Sequence, residues 1–429
     1  MHVRTRARVR SVAGAAALAV AMILTSPGVA PAGARARQLQ HIVVLMQENR
    51  SFDSYLGRLH FQGQPGVAAE PLSARNPNPL GGKPIHAYHK HRYCEKADLD
   101  HSWNGAHHEY DRGRMDGFTR ANAVSADPTG RRAMGYYTRK DLPFYYALYR
   151  TFATSDRYFA SVLSQTFPNR FYLLAGTSFG HIRNDLPGPN GFRHKTVFQE
   201  LDRRHVSWKI YYSQIPFAFE FKYVRDHQAG HVFPIQKFYD DAKAGALPQV
   251  SFVDPIFEGP TNVENDEHPS SNVQVGERFA RQVVEGLFHS PDWTSSALFL
   301  TYDENGGFYD HVRPPRAPKP DNIPPMLQKG DVKAGFRRYG FRVPVVVVSP
   351  YSRRHFVSHV VHDHTSILKT IEVRFGLPPI TNRDAHARPM LEFFNFRHPN
   401  FTTPPKLPPA PLNHKQVAVC LTAPPNGGI

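Results

Sequence analysis

Cysteine is scarce: Cys94 and Cys420 are the only two in 429 residues. Thiols this sparse argue against thiol chemistry; in an exported chain they predict one bridge tying the C-terminal tail to the early region. Long apolar runs are also missing. The one run of note, residues 12–24, is thirteen residues, too short to span a bilayer. Acids are in deficit, 36 against 52 Lys and Arg, for a net charge of +16. Such a surface attracts anionic lipid, phosphate groups or nucleic acid, and a solvated basic surface is the plainer reading of most of these charges. No basic run carries interleaved aromatics, which argues against nucleic acid. Sequence repeats and long low-complexity blocks are absent as well.

What is present begins with a leader pattern. Arg4, Arg6, Arg8 and Arg10 precede the apolar run, and Ala32 and Ala34 offer a small-residue cleavage site. Residues 1–34 are expected to be a secretory signal peptide, and the protein to be secreted. No twin arginine is present, which favours the general export route. Cleavage after Ala34 removes four Arg and no acid, leaving 395 residues at +12. That length suits one large α/β domain or two smaller ones.

The chain is organised around residues 41–57, HIVVLMQENRSFDSYLG. An unbroken apolar run, Ile42 to Met46, fits a strand buried on both faces. Ser51 then caps a short helix that stops at Gly57. Glu48 and Asn49 fall at the strand's C-terminal rim, where α/β units build their sites, as adjacent oxygen donors suited to a divalent cation. Residues 297–302, ALFLTY, repeat the pattern and end in Asp303 and Glu304. If the two strands are neighbours, the four side chains converge on one ion.

Other segments sort by pattern. His101, Asn104 and His108 recur at helical spacing, as a solvated face or a pocket lining. Residues 143–153 form a helix with Pro143 in its first turn. Thr166 precedes a second helix, ended by Gly176. Local sequence favours Thr166 as its cap; the sharper reading is a hydroxyl nucleophile in the helix N-terminal field. Residues 207–212 and 250–253 are short strands, 273–288 an amphipathic helix, and 342–348 the strongest strand, with Pro344 at its start. Residues 314–333 are a Pro-rich rim loop. Residues 365–375 are a helix. Residues 399–429 carry no helix or strand pattern and form a surface tail.

Five motifs in order, HIVVLMQENRSFDSYLG, SQTFPNRFYLLAGTS, NDEHP, TYDENGGFYDHV and VHDHTSILKTIE, resemble the bacterial phosphoesterase family of phospholipases C and related acid phosphatases. The resemblance runs from about residue 41 to about residue 375. It implies an α/β three-layer sandwich with a central mixed, mostly parallel sheet, similar to alkaline phosphatases and sulfatases, and one catalytic domain over residues 35–398. It also implies Glu48, Asn49, Asp303 and Glu304 as metal ligands and Thr166 as nucleophile. His101, His268, His311 and His364 match phosphate-pocket or acid/base residues; His268 and His311 are the leading proton donors. Asn169 and Arg170 either hold the nucleophile helix or bind phosphate. Thr166 and the Asp303–Glu304 pair lean toward the phospholipase branch.

The expected chemistry is phosphoryl transfer. A nucleophile approaches phosphorus in line while a cation neutralises charge. A phosphorylated Thr166 would form and water would release it. The metal is Ca²⁺, Mg²⁺, Mn²⁺ or, through nearby histidines, Zn²⁺. The expected partners are a phospholipid or small phosphoester, with peripheral membrane contact and no nucleic acid; a monomer is expected. Acid phosphatase activity on monoesters and a non-catalytic exported binding protein are the alternatives. Exposed Tyr211, Tyr212, Phe217, Phe219 and Phe221 would favour the phospholipase as a lipid-facing rim, and a narrow polar pocket the phosphatase.

Overall fold

The structure, a computed structural model, describes residues 1–2, 36–257 and 263–421. The expected signal peptide lies outside these apart from its first two residues. Residues Ala32–Ile429 form one compact unit.

Among the described residues a central sheet has eight strands. In chain order they are β1 (His41–Gln47), β2 (Ala153–Ser155), β3 (Trp208–Tyr212), β4 (Val232–Pro234), β5 (Val250–Asp254), β6 (Ser296–Tyr302), β7 (Val345–Val348) and β8 (Val357–Ser358). Their order across the sheet is β8-β2-β7-β6-β1-β5-β3-β4. Only β7 runs against the rest, antiparallel to β6 and β2. The sheet is thus mixed and mostly parallel. β1 and β6 lie side by side at its centre, buried almost throughout. Cover on both faces is why they read as continuous apolar runs rather than alternating ones.

The helices used below are α1 (Phe52–Leu56), α2 (Trp103–Tyr110), α3 (Pro143–Thr151), α4 (Thr166–Ala175), α5 (Val273–Phe288), α6 (His364–Phe375) and α7 (His414–Leu421). α3 packs against α5 and α4 against α6, the helix layers that sandwich the sheet. Capping chemistry sets several ends. Ser51 accepts from the Ser54 N–H at the start of α1, and Gly176 and Gly376 end α4 and α6 in the left-handed region, where glycine has no Cβ penalty.

Three expectations need correction. The C-terminal segment carries α7, whose Cys420 is bridged to Cys94. Phe401 ahead of it is buried, and its carbonyl accepts from Trp293 Nε1 at 2.9 Å. His101, Asn104 and His108 do not share one helix face, although Asn104 does line a cavity. His101 precedes α2, which Ser102 caps, and Asn104 bonds Asp331 and Val332. The proposed aromatic rim is interior: Tyr211, Phe217 and Phe221 are buried, with Phe217 packed edge-on to Phe167 at 5.1 Å, and Tyr212 and Phe219 are half-buried. Aromatic-rich sequence marked core, the commoner use of large rings.

Candidate active site

Two parallel strand ends set the site. β1 and β6 run in register to the pair Gln47 and Tyr302, and the Asp303 N–H extends the ladder to Gln47 O at 3.1 Å. Glu48, Asn49, Asp303 and Glu304 therefore emerge together, all buried. Asn49 takes φ 58, a conformation that Asn tolerates. Its backbone N–H donates to Asp303 Oδ1 at 2.9 Å. Gly306 closes the facing turn at φ +61, where a Cβ would lie 2.3 Å from Asn49 O, so a side chain there would force the two turns apart.

α4 brings the hydroxyl. Thr166 is its first residue and Gln165 its cap, so the expected capping role falls one residue earlier. The loop ahead of the helix is held by Asn169. Its Oδ1 accepts from Ser161 N at 2.9 Å and Val162 N at 3.0 Å, and its Nδ2 donates to Ser164 O at 2.8 Å. Both ends of that amide are engaged, so Asn169 positions the loop and is not placed to bind substrate. The Thr166 hydroxyl lies 3.3 Å from the side-chain amide of Asn49.

Arg170 is one turn further along α4, on the face of Thr166. Its Nη2 sits 3.1 Å from Glu48 Oε1, and its Nε 3.1 Å from Asp303 Oδ2. Met46 O accepts from Nη2 at 3.1 Å. Arg170 is thus the counter-charge of two strand-end carboxylates, and the substrate-binding expectation is corrected accordingly. Glu48 is held on this guanidinium, whereas Asn49, Asp303, Glu304 and Thr166 converge beside it.

His364 is also a positioning group. It is buried, with Nε2 2.6 Å from Asp303 O and Nδ1 3.0 Å from the Tyr158 hydroxyl. A carbonyl only accepts, so Nε2 carries the proton. His311 stands in a different cluster, with its Nδ1 2.6 Å from Asp53 Oδ2. Arg342 completes that cluster, 2.8 Å from Asp53 Oδ1 and 3.0 Å from both Asp310 oxygens. His311 is therefore corrected from proton donor to part of a scaffold network.

His101 and His268 do reach the site. His101 Nδ1 is 2.7 Å from Glu304 Oε1, and its Nε2 is 3.1 Å from Asp98 Oδ2. Burial alone would lower its pKa; the Glu304 and Asp98 carboxylates override this and raise it well above the usual value. Asp98, against burial, is pulled down to about 2 by His268 and His101. Burial holds His268 below its ordinary value despite Asp98. Glu304 is raised to about 7, and Glu48 well above its usual value, by burial and crowding with like charges, against His101 and Arg170 respectively.

These partners decide how the Asn49 amide points. His268 Nδ1 lies 3.0 Å from Pro269 O, so it carries the proton and Nε2 is left to accept. The Asn49 amide atom 2.9 Å from that Nε2 is then its nitrogen. The Asn49 oxygen consequently faces Glu304 Oε1 at 2.7 Å, Asp303 Oδ1 at 3.1 Å and Thr166 Oγ1 at 3.3 Å. Acceptors that confront acceptors in a buried site call for positive charge between them. The donor set fits a divalent cation, hard oxygens for Mg²⁺, Ca²⁺ or Mn²⁺. Asp98, His101 and His268 form an adjoining group whose ligand atoms lie within 4.8 Å of one another.

A cavity of about 320 Å³ opens at Gln165, the residue before Thr166. Gln165 and Asn184 line it; the Asn184 Oδ1 accepts from Phe167 N at 2.9 Å, inside the first turn of α4. Ser102, next to His101, and the paired Arg183 and Asp331 line it too. Seven of its eight lining residues, Trp103 apart, are polar or charged, though their stems and Trp103 give it apolar surface as well, and its size suits a small head group rather than acyl chains. Asp98 and Asn184 were not singled out from the sequence. Asp98 stands three residues before His101, a spacing that could have flagged it. Asn184 comes from a loop with no local signal.

Buried acids, a hydroxyl at a helix start and a polar cavity at the C-terminal edge of a parallel sheet describe a phosphoric-ester hydrolase. The family comparison agrees, and the chain belongs to the Phosphoesterase family, whose model matches residues 39–378. It is 35% identical over 406 residues to Non-specific phospholipase C1 of Arabidopsis thaliana, covering 87% of this chain and 74% of that one. It is 33% identical over 454 residues to Phospholipase C B of Mycobacterium tuberculosis, covering 92% and 85%. It is 31% identical to Non-hemolytic phospholipase C of Burkholderia pseudomallei, covering 86% of this chain and 60% of that one.

Proposed function

We propose that the protein is a secreted phospholipase C that cleaves phospholipid phosphodiesters through Thr166. The observation that carries this reading is the hydroxyl of Thr166 lying 3.3 Å from Asn49, among the carboxylates of two adjacent strand ends. Thr166 Oγ forms a bond to phosphorus and gives up its hydroxyl proton to solvent, the bond to the glycerol oxygen breaks, and that oxygen takes a proton from His101 as diacylglycerol departs. The head-group phosphate stays on Thr166 until water releases it. His101, held protonated by Glu304 and Asp98, is the proton source, in contact with the strand-end acids. His268 orients Asn49, Arg170 fixes Glu48 and Asp303, and the cavity beside Gln165 takes the head group. A divalent cation held by Asn49, Asp303, Glu304 and Thr166 would supply charge neutralisation and lower the hydroxyl pKa.

A second reading, a phosphomonoesterase, draws support from the small polar cavity. One experiment addresses both. Purified wild type and Thr166→Ala are compared on phosphatidylcholine, a water-soluble phosphodiester and a phosphomonoester. Diester turnover by wild type, falling by at least about 10³-fold in the variant with unchanged melting temperature, supports the proposal. Turnover of the monoester alone selects the second reading, and full activity of Thr166→Ala removes the nucleophile assignment.

A further inference from the structure

Large apolar side chains facing solvent gather beside the mouth of the cavity. Leu186 is 68% exposed, Ile323 40%, Met326 45% and Leu327 39%. They come from two loops tied to each other. Met326 N donates to Gly180 O at 2.8 Å, Arg183 Nη1 to Met326 O at 3.4 Å, and Arg183 pairs with Asp331 at 2.5 Å. Gly180, at φ +87, permits this approach, since a Cβ there would lie 2.7 Å from Pro324 O and 3.0 Å from Ile323 Cγ2. The same two loops supply Arg183, Asn184 and Asp331 to the cavity wall. The apolar crown therefore adjoins the cavity that Gln165, the residue before Thr166, also lines.

The surrounding charge is mainly positive, although Asp185, paired with His181, adjoins Leu186. Residues 313–338 carry seven Lys or Arg against two acids, Asp321 and Asp331. Both acids are engaged, Asp321 by the Thr177 hydroxyl and Asp331 by Arg183, while Lys329 and Lys333 are exposed just past Leu327. Apolar tips framed by cations suit an anionic bilayer. A second copy of the chain would set these cations against themselves.

We propose that this crown is the surface that docks on an anionic lipid bilayer: Ile323, Met326 and Leu327, with Leu186, enter between head groups, and Lys329 and Lys333 meet their phosphates. The assignment rests on the phospholipase reading and adds how that enzyme reaches its substrate. It replaces the buried aromatics as the lipid-facing rim. Salt weakens the docking, because exposed charges are screened.

The test uses the triple variant Ile323→Ser, Met326→Ser, Leu327→Ser, and separately Lys329→Glu with Lys333→Glu. All five side chains are exposed, and melting temperatures check the fold. Sedimentation with vesicles of phosphatidylcholine mixed with phosphatidylglycerol is compared with pure phosphatidylcholine vesicles, beside the rate on a water-soluble phosphodiester. Each variant is expected to lose vesicle binding by about tenfold or more with the soluble rate unchanged. Unchanged binding overturns the proposal, and so does equal loss on vesicles and soluble substrate. A shift of wild type from dimer to monomer in the variants also overturns it, in favour of self-association. Wild type that binds vesicles through the crown yet releases no diacylglycerol overturns the phospholipase reading and leaves the crown standing. Wild type that cleaves lipid in detergent micelles but ignores vesicles does the reverse.

Discussion

Arg170 and Arg342 are both buried, and each stands between two carboxylates. Around Arg342 the charges close. Its guanidinium meets Asp53 and both oxygens of Asp310, its Nη1 reaches Asp156 O at 3.2 Å, and His311 takes up the other Asp53 oxygen. Around Arg170 they do not close. Glu48 and Asp303 are served, but Glu304 faces the Asn49 oxygen at 2.7 Å, that oxygen lies 3.3 Å from the Thr166 hydroxyl, and the cation Glu304 meets is His101. The same residue types therefore make a fastening in one place and the proposed reaction centre in the other. Unbalanced negative charge beside a hydroxyl marks the second.

The largest effects should come from removing each arginine. Arg342→Met is expected to cost on the order of 3–5 kcal/mol by urea unfolding, since it strands two buried acids, with turnover per folded molecule kept. Arg170→Met is expected to lower kcat by about 10²-fold or more, because Asp303 loses its fixed geometry. If the two variants exchange these outcomes, the comparison is wrong.

A pH series with and without cation sharpens it further. Burial and neighbouring Asp303 raise Glu304 to about 7, against His101. A raised carboxyl stabilises the fold while protonated, fully so below its unfolded value, and that contribution is lost as pH climbs through about 7. Chelated protein should therefore lose melting temperature over that range, and added Mg²⁺, Ca²⁺ or Mn²⁺ should flatten the slope. The slope should persist in Arg342→Met and become shallower in Glu304→Gln, where Asp254, Glu267 and Asp310, each raised to about 6 by burial, still contribute. A cation with no effect on the slope would speak against the oxygen site. The smallest effect belongs to His311→Gln, with a stability cost of about 1 kcal/mol for one hydrogen bond and kcat within about threefold of wild type. A collapse of kcat there would restore His311 to the chemistry.

Much of this was legible in the sequence. The strand of residues 41–47, the acid-tipped strand at Ser296–Tyr302 and the helix Val273–Phe288 carry strong periodic or continuous apolar patterns, and pattern is what one sequence records well. The meeting of Asn49 and Asp303 was readable because two motifs share one physical form, a buried strand ending in oxygen donors, whereas Thr166 read locally as a cap and was drawn to them by the family resemblance alone. Partners across distance were not readable. Arg342 and Asp53 are 289 residues apart, and nothing local assigns His311 to them instead of Thr166. Arg170 and Asn169 pointed either way until the fold showed which groups each one touches. The aromatics at 211–221 failed for a related reason: ring content signals burial as readily as exposure, and only packing decides between them.

The bridge from Cys94 to Cys420 joins residues 326 apart, so everything from β2 through α6 lies inside one covalent ring. A protease that nicks the exposed loop around Ile323 would leave both pieces attached through sulfur. Such a nicked chain would migrate as one species on a gel until reductant is added.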